Sequence, residues 1–234
     1  EDPSEMPPDR FTGMTFDDAL AAYEAEPPVR VRYEVGAVAG REGAPYATAV
    51  REYDAWPIPG TEVERWFLGP DGTLATTPTD IADDTPRATT SYRYAPDEAH
   101  PPTSAEDSND DLWKRHPDLA WSTPVEDSHL TFTTPPATAT SVYAGSGSVD
   151  LWLRSTASDT DLEAVLTEVR PDGHEVYVQS GWLRASHRAL DEDRSTPLRP
   201  WPTHREGDAA PLPAGELTPV RMELFPFAHV VRPG

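Results

Sequence analysis

The chain has 234 residues, with 41 acidic and 19 basic side chains, a formal net charge of −22, 27 prolines and no cysteine. Without cysteine there is no disulfide framework, no thiolate metal ligand and no cysteine nucleophile, and no apolar run approaches the roughly 18 residues of a membrane span. A charge of this sign and size opposes nucleic-acid phosphates and anionic membrane surfaces, and the length suits one sizeable domain, or one domain plus an appendage.

Residues 1–28 carry eight acids against one base, Arg10, and read as a linker or the tail of a preceding domain with one short helix. Thr15 can cap that helix, and Asp17 and Asp18 sit at its positive end. Phe16 and Leu20 fall four apart on one face, Tyr23 lies next along it, and Pro27-Pro28 ends it. One short helix cannot bury such a face alone, so it is expected to pack on another body. The chain starts at Glu1, with no signal-peptide pattern, and reads as processed or as a piece of something longer.

From residue 29 the apolar period becomes two: Val29, Val31, Tyr33 and Val35 alternate with Arg30, Arg32 and Glu34. Further strands are expected at 63–68, 89–94, 130–133, 149–154, 162–169, 176–179 and 220–225. Pro70-Asp71-Gly72 and Pro171-Asp172-Gly173 are turns, because proline presets the first turn angle and glycine accepts positive φ. Many short strands with turns between them predict an all-β sandwich over 29–234. It is interrupted by acidic Pro/Thr/Ser-rich loops at about 75–128, long enough to be functional, packed on another body or in part disordered. A single lysine (Lys114), a single asparagine (Asn109) and two isoleucines (Ile58, Ile81) against eighteen arginines indicate GC-rich coding, with salt adaptation as the other reading.

No Gly-x-Ser-x-Gly occurs, so there is no nucleophile elbow. Gly145-Ser146-Gly147-Ser148 lacks its spacing and reads as a flexible turn opening a strand. The seven histidines (100, 116, 129, 174, 187, 204, 229) show no zinc spacing and read as separate surface residues. Phosphate-binding glycine loops are missing too, and no cofactor is expected. Asp159 and Asp161 are the calcium candidates, since two carboxylates near a strand start suit a hard cation; turn initiation is the competing reading. Asp107, Asp110 and Asp111 read as a solvated cluster, and nothing in the spacing selects a glycosidase pair among so many acids. Trp152 is out of phase with Val149, Leu151 and Leu153. With Trp182 and Trp201 it is a candidate for interdomain packing or for stacking on a ligand.

Residues Ser148 to Arg188 carry a series of motifs in order: a Leu-rich strand, Asp159-Thr160-Asp161 before a second strand, Val169-Arg170-Pro171-Asp172-Gly173, and Gly181-Trp182-Leu183-Arg184-Ala185-Ser186-His187-Arg188. This series resembles the C-terminal domain shared by bacterial cocaine esterase and X-prolyl dipeptidyl aminopeptidases. Pro27 to Val31, Trp56 to Gly60, Trp66 to Leu74 and Pro213 to Gly234 extend the likeness to about residues 16–234. The resemblance implies a jelly-roll β-sandwich with a galactose-binding-like fold. It also implies that the catalytic serine, aspartate and histidine belong to an α/β-hydrolase domain preceding this chain in the same parent, whose last helix Phe16–Leu20 resembles. No catalytic residue carries over, and the chain alone is expected to be non-catalytic within a serine hydrolase of esters or X-Pro peptides. Its expected role is to stabilise the hydrolase and shape its cleft. Gly173, Arg184 and Arg188 are motif residues, and the two arginines are expected on one face, paired with Asp159 or Asp161. The alternative is a free-standing carbohydrate-binding module. Substrate, oligomeric state (a homo-oligomer included) and localisation stay open.

Overall fold

A computed structural model describes residues 9–39, 46–78, 89–94 and 128–234. The acids Asp107, Asp110 and Asp111, and most of the loop region at 75–128, lie outside the described residues. The chain divides into two compact units. One comprises residues 1–141, 170–175 and 230–234; the other comprises 142–169 and 176–229.

In the first unit α1 runs over Phe16–Glu24. The Thr15 hydroxyl accepts from the Asp18 amide at 3.2 Å and donates to the Asp18 carboxylate at 2.8 Å, so cap and first turn satisfy each other. No residue of α1 is buried. Phe16 is 78% exposed and Tyr23 60%.

The alternation at 29–35 becomes β1, Val29–Tyr33, with Val31 and Tyr33 turned inward. It pairs antiparallel with β2, Ala49–Tyr53, in the register Val29 to Tyr53 through Tyr33 to Ala49. The Tyr33 and Tyr53 hydroxyls share a hydrogen bond of 2.7 Å. Burial, and then that hydrogen bond, push the Tyr33 phenol up to about 12.

Immediately after β1, Glu34 takes a left-handed φ of 52°. Its carboxylate is buried and accepts two bonds from Arg232, Nη1 at 2.6 Å and Nη2 at 3.0 Å, and one from the Thr48 hydroxyl. The pair joins positions 198 residues apart. Two short strands, β3 (Phe67–Leu68) and β4 (Leu74–Ala75), flank a 3₁₀ turn at Pro70–Gly72. There Gly72 has φ 72°, and an added Cβ would lie 2.8 Å from the Thr131 carbonyl oxygen. Both the angle and the space demand glycine.

The second unit is built from β5 (Ser141–Leu153), β6 (Asp161–Val169), β7 (Glu175–Arg184) and β8 (Thr218–Val231). Strand β5 neighbours β8, and β6 neighbours β7. All four feed one apolar cluster: Leu183, Val220 and Met222 are buried, with Val149, Leu151, Leu153, Leu162 and Ala164 packed against them. At one end of this unit His229 and Glu168, both largely buried, lie 3.0 Å apart. The turn between β6 and β7 is Pro171–Gly173, where Gly173 holds φ 82° and its amide donates to the Arg170 carbonyl at 2.8 Å.

Several expectations are corrected. Gly145–Ser148 is not a turn: it lies inside β5, whose apolar period shows only from Val149 onward. Of 63–68 only Phe67–Leu68 is strand, residues 89–94 form none, and 130–133 contributes a single bridge from Thr133 to Thr73.

Candidate functional site

The Asp159-Thr160-Asp161 and Gly181–Arg188 motifs meet where β6 begins and β7 ends. The Asp159 carboxylate accepts from the Ser186 amide at 2.8 Å, the Ser186 hydroxyl at 2.7 Å and the Thr160 amide at 3.0 Å. The Ala185 amide donates to the Thr160 carbonyl at 2.9 Å. Desolvation alone would raise the Asp159 pKa, but the Ser186 and Thr160 donors and the nearby Arg184 charge outweigh it and hold the carboxyl below its ordinary 3.8. The folded state therefore binds fewer protons than the unfolded chain as pH falls below about 4. Asp159 thus stabilises the fold above that pH and loses its contribution on acidification. Replacing it with alanine is expected to cost about 1–3 kcal/mol at pH 7 and to flatten the acid limb of stability against pH, both readable in urea titrations from pH 7 to 3.

Asp161 meets a different partner. Its two oxygens accept from Arg184 Nε at 2.7 Å and Nη2 at 2.8 Å. That side-chain bond is the main cause of a lowered Asp161 pKa and a raised Arg184 pKa. Both side chains are more than half exposed, so the fork fixes geometry more than it adds stability.

Arg188 departs from expectation. A 3₁₀ turn at Ala185–His187 follows β7 and separates the two arginines. Arg188 donates to the carbonyls of Ala185, Ala210 and Pro211 rather than to a carboxylate. Its planar group thereby ties the 210–211 segment beside the turn, alongside the Ala210 amide on the Ser186 carbonyl and the Leu212 amide on the Ser158 carbonyl. As for calcium, Asp159 is spent on amides and a hydroxyl and Asp161 on a guanidinium. No group of three or more metal-capable side chains gathers among the described residues.

The three tryptophans are dispersed into different settings. Trp152, on the outward side of β5, is 64% exposed. Trp201 is gripped between the guanidiniums of Arg194 and Arg199, 3.8 and 4.6 Å from its ring centre. Trp182 is 52% exposed and rests against Phe225, ring centres 5.7 Å apart. Trp182 lines an open cavity of about 400 Å³ bounded by Asp161, Leu162, Trp182, Leu183, Arg184, His187 and His204. The histidine rings stand 6.2 Å apart. His187 Nδ1 is buried with no hydrogen-bond partner, and His204 has φ 51°. His187 belongs to the Gly181–Arg188 motif and could have been singled out there. His204 sits among irregular residues, and nothing in its neighbours announces it.

Residues 21–234 match the family described as X-Pro dipeptidyl-peptidase C-terminal non-catalytic domain. The protein named Putative serine esterase Mb1866c of Mycobacterium bovis is 36% identical over 108 residues, 45% of this chain. Putative serine esterase MT1883 of Mycobacterium tuberculosis matches to the same extent. The matched stretch spans 17% of the length of each of these curated relatives. In fold, 79% of the chain superposes on 29% of a CocE/NonD family hydrolase from Staphylococcus aureus, with a TM-score of 0.51 at 20% identity. With the match running over nine-tenths of its residues, the chain belongs to the X-Pro dipeptidyl-peptidase C-terminal non-catalytic domain family.

Proposed function

We propose that this chain is the non-catalytic C-terminal domain of a serine hydrolase, where it stabilises an α/β-hydrolase domain and shapes its active-site cleft. In this reading the strands form a galactose-binding-like jelly roll, and the parent hydrolyses esters or X-Pro peptides. The carrying observation is the family match over 21–234, whose description is both C-terminal and non-catalytic. The chemistry of the sequence agrees, since it holds no Gly-x-Ser-x-Gly elbow. Helix α1 supports the packing role. Phe16, Leu20 and Tyr23 stay exposed on a well-capped helix, and such a face is stable when another surface covers it.

The test uses the full-length protein carrying this chain, with Phe16 and Tyr23 both replaced by serine. Covering two aromatic side chains is worth roughly 3 kcal/mol or more. The double variant is therefore expected to unfold at lower temperature and to lose kcat/KM on p-nitrophenyl esters or X-Pro anilides. Unchanged unfolding and turnover would remove the packing role.

A further inference from the structure

We propose that Glu26 is the catch of an ionic clip that sets the direction in which α1 leaves the β1–β2 hairpin. The inference goes beyond the packing role proposed for α1, because the clip is made within this chain and holds whether or not another domain covers the helix.

Among the described residues, little else holds α1. None of its residues is buried, and its side chains make no ion pair or hydrogen bond with a described residue beyond the cap at Thr15. Its two flanks are tied instead. Arg10, ahead of the helix, and Arg30, on β1, each place Nη2 3.0 Å from the same Glu26 oxygen, Oε2. Glu26 lies two residues past the helix end, so the Arg10 contact closes residues 10–26 into a loop. Arg10 is set by the turn before the helix, where the Thr12 amide and hydroxyl donate to the Asp9 carbonyl at 3.1 and 2.6 Å. Arg30 is set by the hairpin, since its Nε donates at 2.9 Å to Glu52, its cross-strand partner. The series Arg10, Glu26, Arg30, Glu52 thus alternates in sign from the approach to the helix as far as β2.

A single exposed ion pair is weak, and two features make this one count for more. Pro27-Pro28 is the whole connection between Glu26 and β1, and two fixed φ angles leave the helix few directions to choose among. A contact that selects one of them therefore opposes little entropy. Glu26 also holds two guanidiniums on one oxygen. Without its charge Arg10 and Arg30 repel each other, so losing the carboxylate turns attraction into repulsion. The last turn of α1 carries no base of its own, and the two arginines bring positive charge toward the negative end of the helix dipole. Clipped, the helix presents Phe16, Leu20 and Tyr23 in one direction; unclipped, it samples the others that the proline pair allows.

The experiment measures the distance between nitroxides on α1 and β2 of the full-length protein by double electron–electron resonance. Keto-bearing unnatural residues in place of Ala21 and Val50, both exposed, take the labels independently of any cysteine. The Phe16→Ser/Tyr23→Ser background strips the aromatic contacts tested above, so the fate of the clip is read apart from the fate of those contacts. There Glu26→Gln is expected to broaden the distance distribution about twofold. Adding Arg10→Gln removes the repulsion and should narrow it part of the way back. Raising NaCl from about 0.1 to 1 M shortens the screening length from about 10 to 3 Å. It should broaden the distribution while Glu26 is present, by weakening attraction, and narrow that of the Glu26→Gln variant, by weakening repulsion. The proposal is overturned if Glu26→Gln leaves the distribution as it was, or if salt moves the two forms in the same sense.

Discussion

Gly181→Ala is expected to destabilise the second unit by at least about 3 kcal/mol, enough to lower its yield as folded protein. Gly181 sits on β7 with its missing side chain aimed at β8, and a Cβ there would overlap the carbonyl oxygen of Glu223 and crowd the Leu224 Cα. The obstacle is backbone, so no rotamer change relieves it. One strand would have to move away from the other, and it would carry Leu183, Val220 and Met222 out of register in the buried cluster. Gly147 on β5 provides the control. A Cβ added there would meet only the Leu224 side chain, at 3.4 Å and beyond. Alanine at 147 is expected to be neutral or slightly stabilising, through the lower entropy of its unfolded chain. Urea midpoints of the two variants measure the contrast directly, and equal midpoints would show that β7 and β8 do not approach so closely.

Arg232→Met carries the second large expected effect. The Glu34 carboxylate is 4% exposed and accepts two bonds from that guanidinium. Removing the guanidinium takes two charge-assisted bonds from a buried carboxylate, and breaking a buried pair typically costs about 3–5 kcal/mol. The Arg232 side chain is 59% exposed, so screening should hold the loss to about 2–3 kcal/mol. Glu34→Gln should destabilise on its own, yet the double variant should lose less than the sum, because the neutral amide no longer strands a charge. A coupling energy near zero in that cycle would show that the pair is incidental. Glu34 also sits at φ 52°, so the bond must hold a backbone angle that glutamate disfavours.

What could be read from residues alone followed the strength of alternation. Strands β1, β6 and the second half of β5 announce themselves, because apolar residues on one face meet charge on the other. The first half of β5 does not: Gly145 to Ser148 carries no apolar side chain, and the pairing with β8 decides its conformation. Strand β2 was equally silent, since four of its five residues are exposed and it exists as the antiparallel partner of β1. The opposite error came at 89–94, where Tyr92 and Tyr94 alternate with arginine and serine but both remain exposed, with no strand formed. For the candidate site, the Asp-Thr-Asp and Gly-Trp-Leu-Arg motifs meet, and Arg184 pairs with Asp161 as the sequence reading expected. The partners of Arg188 were not legible, because it turns away after the 3₁₀ turn and satisfies carbonyls that only folding brings near. His204 reaches the cleft through chain path rather than motif, and no local pattern encodes that.

The placement of Val220 and Met222 on β8 has a consequence for how the protein is made. Strand β5 begins at residue 141 and β8 spans 218–231, so the core of the second unit waits for segments separated by some eighty positions. At a synthesis rate of roughly 5–20 residues per second, the earlier strands spend several seconds outside the ribosome with their apolar faces uncovered. The dense negative charge of the chain would keep such an intermediate apart from its copies during that interval. Release of residues 218–232 then completes both the cluster and, through Arg232, the lock on Glu34, so the second unit closes its core only after its final strand has emerged.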